Sequence, residues 1–168
     1  DKLAKLLSKK VNDSKIIIDK YLNQAGSSLK KLKAENIDQA TILYQKVFHF
    51  SERILNIGKF PIYMSIDSYL HIYMRHVEEF KINDHFEHKD NFLWEENDVF
   101  LVMGNVIDEI NDEYQRYRAA NKTNRFSKYG DESVYYQGDY YTIHIEPSGR
   151  ISTFHKNRKT HEVNQKIN

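Results

Sequence analysis

Cysteine is absent from this 168-residue chain, and several kinds of chemistry are absent with it. Without a thiol there can be no disulfide, no thiolate nucleophile and no zinc site of the cysteine type. Such a composition suits a domain that crosses an oxidising space unfolded. No apolar run approaches the length that spans a bilayer, so we expect no stable membrane insertion of this segment. No signal peptide opens the chain, and its start at Asp1 rather than Met suggests a piece of a longer protein.

Charge of either sign is not in excess, because 25 basic residues nearly balance 24 acidic ones, but the two are unevenly distributed. The segment from Glu78 to Glu113 is strongly acidic, whereas the segment from Arg150 to the end is basic. A basic segment can bind phosphate and an acidic one can bind a basic partner, although either can equally be a solvated surface. The 12 tyrosines and 9 phenylalanines can supply a core or base-stacking surfaces.

Residues 1–59 are typical of a helical module. Apolar residues recur at steps of three and four, and they predict helices over about 1–24, 28–32 and 37–57. Gly26 and Gly58 are natural helix ends. This part of the chain carries no obvious catalytic chemistry.

Residues 60–168 predict a second, α+β part. Pro61 interrupts helix formation, and helices then follow over about 65–80 and 98–119, with polar loops over 81–97 and 120–132. Three strands are predicted over 134–137, 140–146 and 150–155, with turns at Gly138-Asp139 and Pro147-Ser148-Gly149. We therefore expect an α+β fold, with an N-terminal helical module followed by helices packed on a small antiparallel sheet.

The segment from His71 to His76 is the first candidate for a site, because it holds two histidines and an arginine within one predicted helix. Residues four apart share a helix face, so His71 and Arg75 are neighbours and His76 lies at their shoulder. Histidine exchanges protons near neutral pH, and arginine can hold an anion. An ordinary polar helix surface is the alternative. His85 and His88 are also weak evidence for a metal site.

The predicted strands offer a second polar cluster, whose membership depends on the register. A four-residue turn places five side chains on one face of the hairpin: Tyr140, Thr142, His144, Thr153 and His155. A three-residue turn instead pairs Glu146 with Arg150 and groups Thr142 and His144 with Ser152 and Phe154. The sequence leaves both registers open.

If the two clusters faced each other, they could together catalyse the cleavage of an RNA phosphodiester. That reaction needs a base for the 2′-hydroxyl, an acid for the leaving oxygen, and cations or donors for the phosphate oxygens. A histidine from the helix and one from the hairpin could serve as acid and base, two arginines could hold the phosphate, and threonines could donate hydrogen bonds. The candidates are His71 or His76 with His144 or His155, then Arg75 and Arg150, and then Thr142 and Thr153. Three further residues could bind the flanking backbone: Lys156, Arg158 and Lys159.

The order of these motifs resembles the barnase–EndoU–colicin–RelE superfamily of metal-independent ribonucleases. A helix with His71-x3-Arg75-His76 is followed by a second helix and by strands with Thr and His near Gly149-Arg150-Ile151-Ser152-Thr153. The resemblance covers about residues 61–155, and it is strongest to branches in phage proteins and in C-terminal domains of polymorphic or contact-dependent growth inhibition toxins. Through its matching motifs, the resemblance implies that five residues belong to the site: His71, Arg75, His76, Thr142 and Thr153. His144 and His155 are added because the hairpin geometry described above places them near these residues.

The same resemblance implies a biological setting. It implies a sheet that cradles RNA, no metal and no cofactor, and a cognate immunity protein as partner. Residues 1–59 would then be a delivery segment. The chain would be secreted or delivered as part of a larger protein and would act in the cytoplasm of a target bacterium, with transfer RNA as one candidate substrate.

Two other interpretations remain at this stage. The first is a non-enzymatic interaction module, which predicts that His71, Arg75, Thr142 and His155 lie scattered in the fold. The second is a different enzyme chemistry on an α+β scaffold, since a fold does not determine a function.

Overall fold

Helices make up the first part of the chain, and a small antiparallel sheet closes its described part. The computed structural model describes residues 1–24, 26–76 and 96–157, with side chains described outside 73–76 and 96–98. The helices are α1 (Lys2–Gln24), α2 (Leu29–Glu35), α3 (Ile37–His49), α4 (Ile66–His76) and α5 (Glu96–Ala120). The strands are β1 (Arg53–Ile54), β2 (Tyr63–Met64), β3 (Phe126–Lys128), β4 (Val134–Tyr136), β5 (Asp139–Ile145) and β6 (Ile151–Lys156). The predicted α+β class is confirmed.

The chain forms two compact units, residues 1–51 and residues 52–168. In the first unit, Ser28 and Asn36 cap α2 and α3 by accepting hydrogen bonds from the Lys31 and Gln39 amides. The apolar stripes of the helices meet in a core that includes Ile18, Leu22, Leu29, Leu32 and Leu43. The prediction that the third helix continues to about residue 57 is wrong. It ends at His49, because Phe50 is extended and the chain then enters β1.

The second unit begins at Glu52, whereas the sequence predicted its start at residue 60. β1 pairs with β2, and the segment between them is held to α5 by three side-chain amides. Gln115 accepts from the Phe60 amide at 2.9 Å and donates to the Phe60 carbonyl at 2.7 Å. Asn111 donates to the Ile57 carbonyl, and Asn56 accepts from the Ile62 amide. These hydrogen bonds satisfy backbone N–H and C=O groups for which no neighbouring strand supplies a partner.

β5 is the central strand of the four-stranded sheet. β3 and β4 pair with successive parts of one of its edges, and β6 pairs with the other edge. The prediction of a loop over 120–132 is wrong at β3, which lies within it. The predicted Gly138-Asp139 turn is also shifted by one residue. Asp139 pairs with Tyr136, and the turn residues are Gln137 and Gly138, both with positive φ, as a two-residue hairpin requires.

The β5–β6 hairpin combines parts of both registers considered above. At the turn, the Glu146 amide donates to the Arg150 carbonyl and Ile145 pairs with Ile151, as a three-residue turn requires. A bulge then leaves Ser152 without an opposite residue and shifts the pairing by one. Beyond the bulge, His144 pairs with Thr153 and Thr142 pairs with His155. These pairs differ from both predicted sets, but they reproduce the grouping of side chains that the four-residue turn predicted.

The two faces of the sheet differ in chemistry. One face carries the buried Ile143, Ile145 and Phe154, and α5 packs on it through Tyr114 and Tyr117, whose rings contact Phe126. The other face carries five polar side chains, and we call it the site face: Ser127, Thr142, His144, Thr153 and His155. Because successive side chains of a strand point to opposite faces, the core residues lie on one face of the sheet and the candidate site residues lie on the other.

Candidate active site on the sheet

The site face contains two adjacent rows of polar residues across the strands. Ser127, His144 and Thr153 form the first row, and Thr142 and His155 form the second. His144 and Thr153 are half-buried, whereas Thr142 and His155 are 5% and 8% exposed. Diagonal neighbours on one face of an antiparallel pair lie roughly 7 Å apart. The imidazoles of His144 and His155 therefore belong to one locality that a single phosphodiester could occupy.

A chain of hydrogen bonds orients His144. Its Nδ1 lies 2.8 Å from the Ser127 hydroxyl oxygen, which also accepts from Nε of Arg125 at 3.3 Å. A hydroxyl has one hydrogen and two acceptor lone pairs, so Ser127 can accept from Arg125 and still either accept from a protonated Nδ1 of His144 or donate to an unprotonated one. The ring of Tyr129 packs against the imidazole, with centroids 5.6 Å apart.

A backbone carbonyl orients His155. Its Nδ1 lies 3.2 Å from the backbone oxygen of Lys156, and a carbonyl oxygen can only accept. Nδ1 must therefore carry the proton in this bond. In a neutral ring with its proton on Nδ1, the lone pair that can accept a proton belongs to Nε2.

Thr142 forms part of a buried network rather than an exposed donor. Its hydroxyl donates to Oδ1 of Asn157 at 2.7 Å, and Nδ2 of Asn157 donates to the Ser133 hydroxyl at 2.6 Å. Ser133 in turn donates to the Gly130 carbonyl. Because Ser133 uses its hydrogen on Gly130, the amide of Asn157 must present its nitrogen to Ser133 and its oxygen to Thr142. The Thr142 hydrogen is therefore committed to Asn157 and not directed at a ligand.

Helix α4, which carries the first candidate segment, packs beside β6. Ser68 of α4 donates to the Ile151 carbonyl, and Nη1 of Arg150 donates to the Ser68 hydroxyl at 3.5 Å. His71 follows Ser68 by three residues, hence by nearly one helical turn, and it is half-buried. α4 also packs on α5, where Tyr69 stacks on Phe100.

The other candidates divide into three groups. Lys156 pairs with Tyr141, so it lies on the face opposite His155. Arg75 and His76 belong to α4, but their side chains lie outside the described ones. Arg158, Lys159, His85 and His88 lie outside the described residues altogether.

Other chemistry in the described part of the chain is limited. Within residues 1–24, 26–76 and 96–157, no three His, Asp or Glu side chains are grouped so that they could hold a metal ion. No helix in these ranges is long and apolar enough to cross a membrane. Burial raises the pKa of Tyr141 far above its ordinary value, with Asp139 and Tyr136 adding to the shift. Its phenol therefore stays neutral and belongs to the core.

Sequence reasoning missed several residues that shape the site. Arg125, Ser127 and Tyr129 come from β3 and its end, in a stretch whose one inward-facing apolar residue, Phe126, gives a weak strand signal. Asn157 and Ser133 follow or precede strands and have no distinctive spacing. Comparisons of the chain with protein-family models, with curated proteins and with solved structures gave no match.

Proposed function

We propose that this chain is a ribonuclease toxin that cleaves RNA by general acid–base catalysis on the site face, without a metal ion. The observation that carries the proposal is the pairing of Thr142 with His155 beside the pairing of His144 with Thr153. Two histidines held on one face by adjacent strands can supply the proton acceptor, as a neutral imidazole, and the proton donor, as an imidazolium, that such cleavage needs.

In the proposed reaction, Nε2 of His155 removes the proton of a 2′-hydroxyl, whose oxygen attacks the adjacent phosphorus. The bond from phosphorus to the 5′-oxygen breaks, and His144, as an imidazolium, delivers the proton of its Nε2 to that leaving oxygen. The products are a 2′,3′-cyclic phosphate and a 5′-hydroxyl. The hydrogen bond between Ser127 and His144 and the one from His155 to the Lys156 carbonyl hold the two rings in position.

The remaining candidates act on the charge of the phosphate. Thr153, opposite His144, donates to a phosphate oxygen, and Arg150 at the junction of α4 and β6 contributes positive charge. Thr142 acts as a positioning residue through Asn157. From α4, His71 stays a candidate together with Arg75 and His76, and Arg158 and Lys159 stay candidates for binding the flanking RNA backbone. Lys156 lies on the face opposite His155 and has no part in the reaction.

The setting of the activity rests on the sequence resemblance to polymorphic and contact-dependent growth inhibition toxins. In that setting the first unit serves delivery, and the second unit cleaves RNA, with transfer RNA as the leading substrate, in the cytoplasm of a target bacterium. A cognate immunity protein protects the producing cell. Neither unit needs a cofactor for this chemistry.

An interaction module without activity predicted that the candidate residues lie scattered. Thr142 and His155 are instead cross-strand partners, and α4, which carries His71, packs against β6. This arrangement supports the enzyme over the module, because grouped candidates are what a catalytic site requires and scattered ones are what the module predicted.

The chemistry of the fragment ends tests the proposal. Total cellular RNA is incubated with the protein in EDTA, and the fragment ends are identified by sequencing with and without end repair. We expect 2′,3′-cyclic phosphates and 5′-hydroxyls at a small set of sites. Intact RNA at high protein concentration, or ends with 3′-hydroxyls and 5′-phosphates, would contradict the proposal.

A further inference from the structure

Two tyrosines stand out on the site face because they face solvent. Tyr129 is 61% exposed and Tyr135 is 58% exposed. Among the described residues they are the only mainly exposed aromatic side chains. Aromatic rings are usually buried, so two exposed rings on one face require an explanation.

Both tyrosines lie on the same face as the histidines. Tyr135 pairs with Tyr140, which alternates with Thr142 and His144 on β5, and the two tyrosine rings are 5.2 Å apart. Tyr129 follows Ser127 by two residues in extended backbone, and its ring packs against the imidazole of His144. Tyr135 therefore lies beyond the second row of the candidate site, and Tyr129 lies beside the rows on their β3 side.

The spacing of the rings lets one strand of nucleic acid contact both. Lys128 pairs with Ile143, so the next residue, Tyr129, lies beside Thr142, two residues from Tyr140 on β5, hence about 7 Å at the rise of an antiparallel strand. His155, the partner of Thr142, lies at the same level. Arg125 adds a cation beside Tyr129, where its Nε is bound to Ser127. This arrangement has two π surfaces next to the polar groups of the site.

We propose that Tyr129 and the Tyr135–Tyr140 pair are two base-stacking subsites, and that the substrate is a single-stranded RNA segment whose bases lie on them. The cleavage of that segment rests on the proposed function, whereas its binding does not. Every base has a π face, so stacking tolerates any sequence but requires that the bases are unpaired. A duplex cannot offer such bases, because they are stacked and paired inside the helix. Loops and single-stranded ends of structured RNA are therefore the class that this face selects.

Binding to a short, fluorescein-labelled 2′-O-methyl oligonucleotide tests this inference, since the missing 2′-hydroxyl prevents cleavage. Anisotropy titrations compare the single strand with the same strand annealed to its complement. The variants are Tyr129→Leu and Tyr135→Leu, which keep an apolar side chain but remove the π face, and Tyr129→Phe and Tyr135→Phe, which keep it. Leu101→Ala, which alters a 65% exposed side chain on α5, is the control.

We expect the single strand to bind at least tenfold more tightly than the duplex, and each leucine variant to lose about fivefold or more in affinity. The phenylalanine variants and Leu101→Ala should bind like the unmodified protein. Equal binding of single strand and duplex, or leucine variants with unchanged affinity, overturns the inference. Unchanged leucine variants in a protein that cleaves RNA would overturn only the subsites. Intact, tyrosine-dependent binding in a protein that cleaves no RNA would contradict the proposed function and leave the subsites standing.

Discussion

At the scale of single residues, Gly149 shows how one position holds β2 against the β5–β6 hairpin. Its φ of +96° is a conformation that L side chains rarely adopt. A Cβ at this position would collide with the carbonyl oxygen of Pro61, and the Gly149 carbonyl accepts from the Tyr63 amide at 2.9 Å. The turn and the start of β2 therefore depend on a residue without a side chain.

We predict that Gly149→Ala lowers the free energy of unfolding by about 2 kcal/mol or more, because the new methyl group is strained in φ and collides with backbone. Gly104→Ala is the matched control. Gly104 lies in α5 with nothing within 4 Å of a new Cβ, so alanine there should stabilise the protein by up to about 1 kcal/mol. Urea denaturation of both variants measures the two effects. Equal stability of the two would contradict this account of the turn.

The histidines show what could and could not be predicted for single residues. Alternation along β5 and β6 was enough to group Thr142, His144, Thr153 and His155. Their hydrogen-bond partners could not be predicted, because Ser127 and Asn157 become neighbours only through pairing and through the end of β6.

At the scale of elements, Arg118 joins the end of α5 to two loops. Its guanidinium is 3% exposed and donates to the carbonyls of Asn121, Asn124 and Glu146 at 2.7–3.2 Å. The rings of Tyr114 and Tyr117 lie at about 5.3 and 5.4 Å from it. Planar donors that point in several directions suit arginine and not lysine.

We predict that Arg118→Lys destabilises the protein by about 2–4 kcal/mol, since a lysine cannot reach carbonyls on both loops and leaves buried acceptors unsatisfied. Arg116→Lys is the control, because Arg116 is exposed on the same helix. Its stability should match that of the unmodified protein in urea denaturation. A stable Arg118→Lys variant would show that the carbonyl contacts contribute little.

The elements themselves were predictable to different degrees. Long amphipathic helices such as α1 and α5 have strong periodicity, and the aromatic and β-branched run of β5 marks a strand. β3 was missed because Phe126 is its one buried apolar residue, and a three-residue strand offers too little alternation. The bulge at Ser152 was also missed. It shifts the pairing of the hairpin by one residue, and the alternation of side chains does not determine where such an extra residue enters a strand.

At the scale of the whole molecule, the chain separates into a helical unit and a unit that holds every candidate site residue. The acidic and basic segments seen in the sequence lie partly outside the described residues. The meeting of α4 with β6 joins segments about 80 residues apart, as the Ser68–Ile151 hydrogen bond shows. Such a contact follows from packing and not from local patterns, so it was only an expectation before the structure.

The rate of RNA cleavage in EDTA by His155→Gln, beside His49→Gln as control, tests the central claim most directly. His49 is exposed at the end of α3 in the first unit, where no step of the reaction occurs. The account predicts single-turnover cleavage by the unmodified protein and by His49→Gln at the same rate. His155→Gln should fold, as judged by its circular dichroism, and should be slower by about a hundredfold or more, since it lacks the general base. A folded His155→Gln variant that cleaves at the unmodified rate would contradict the account.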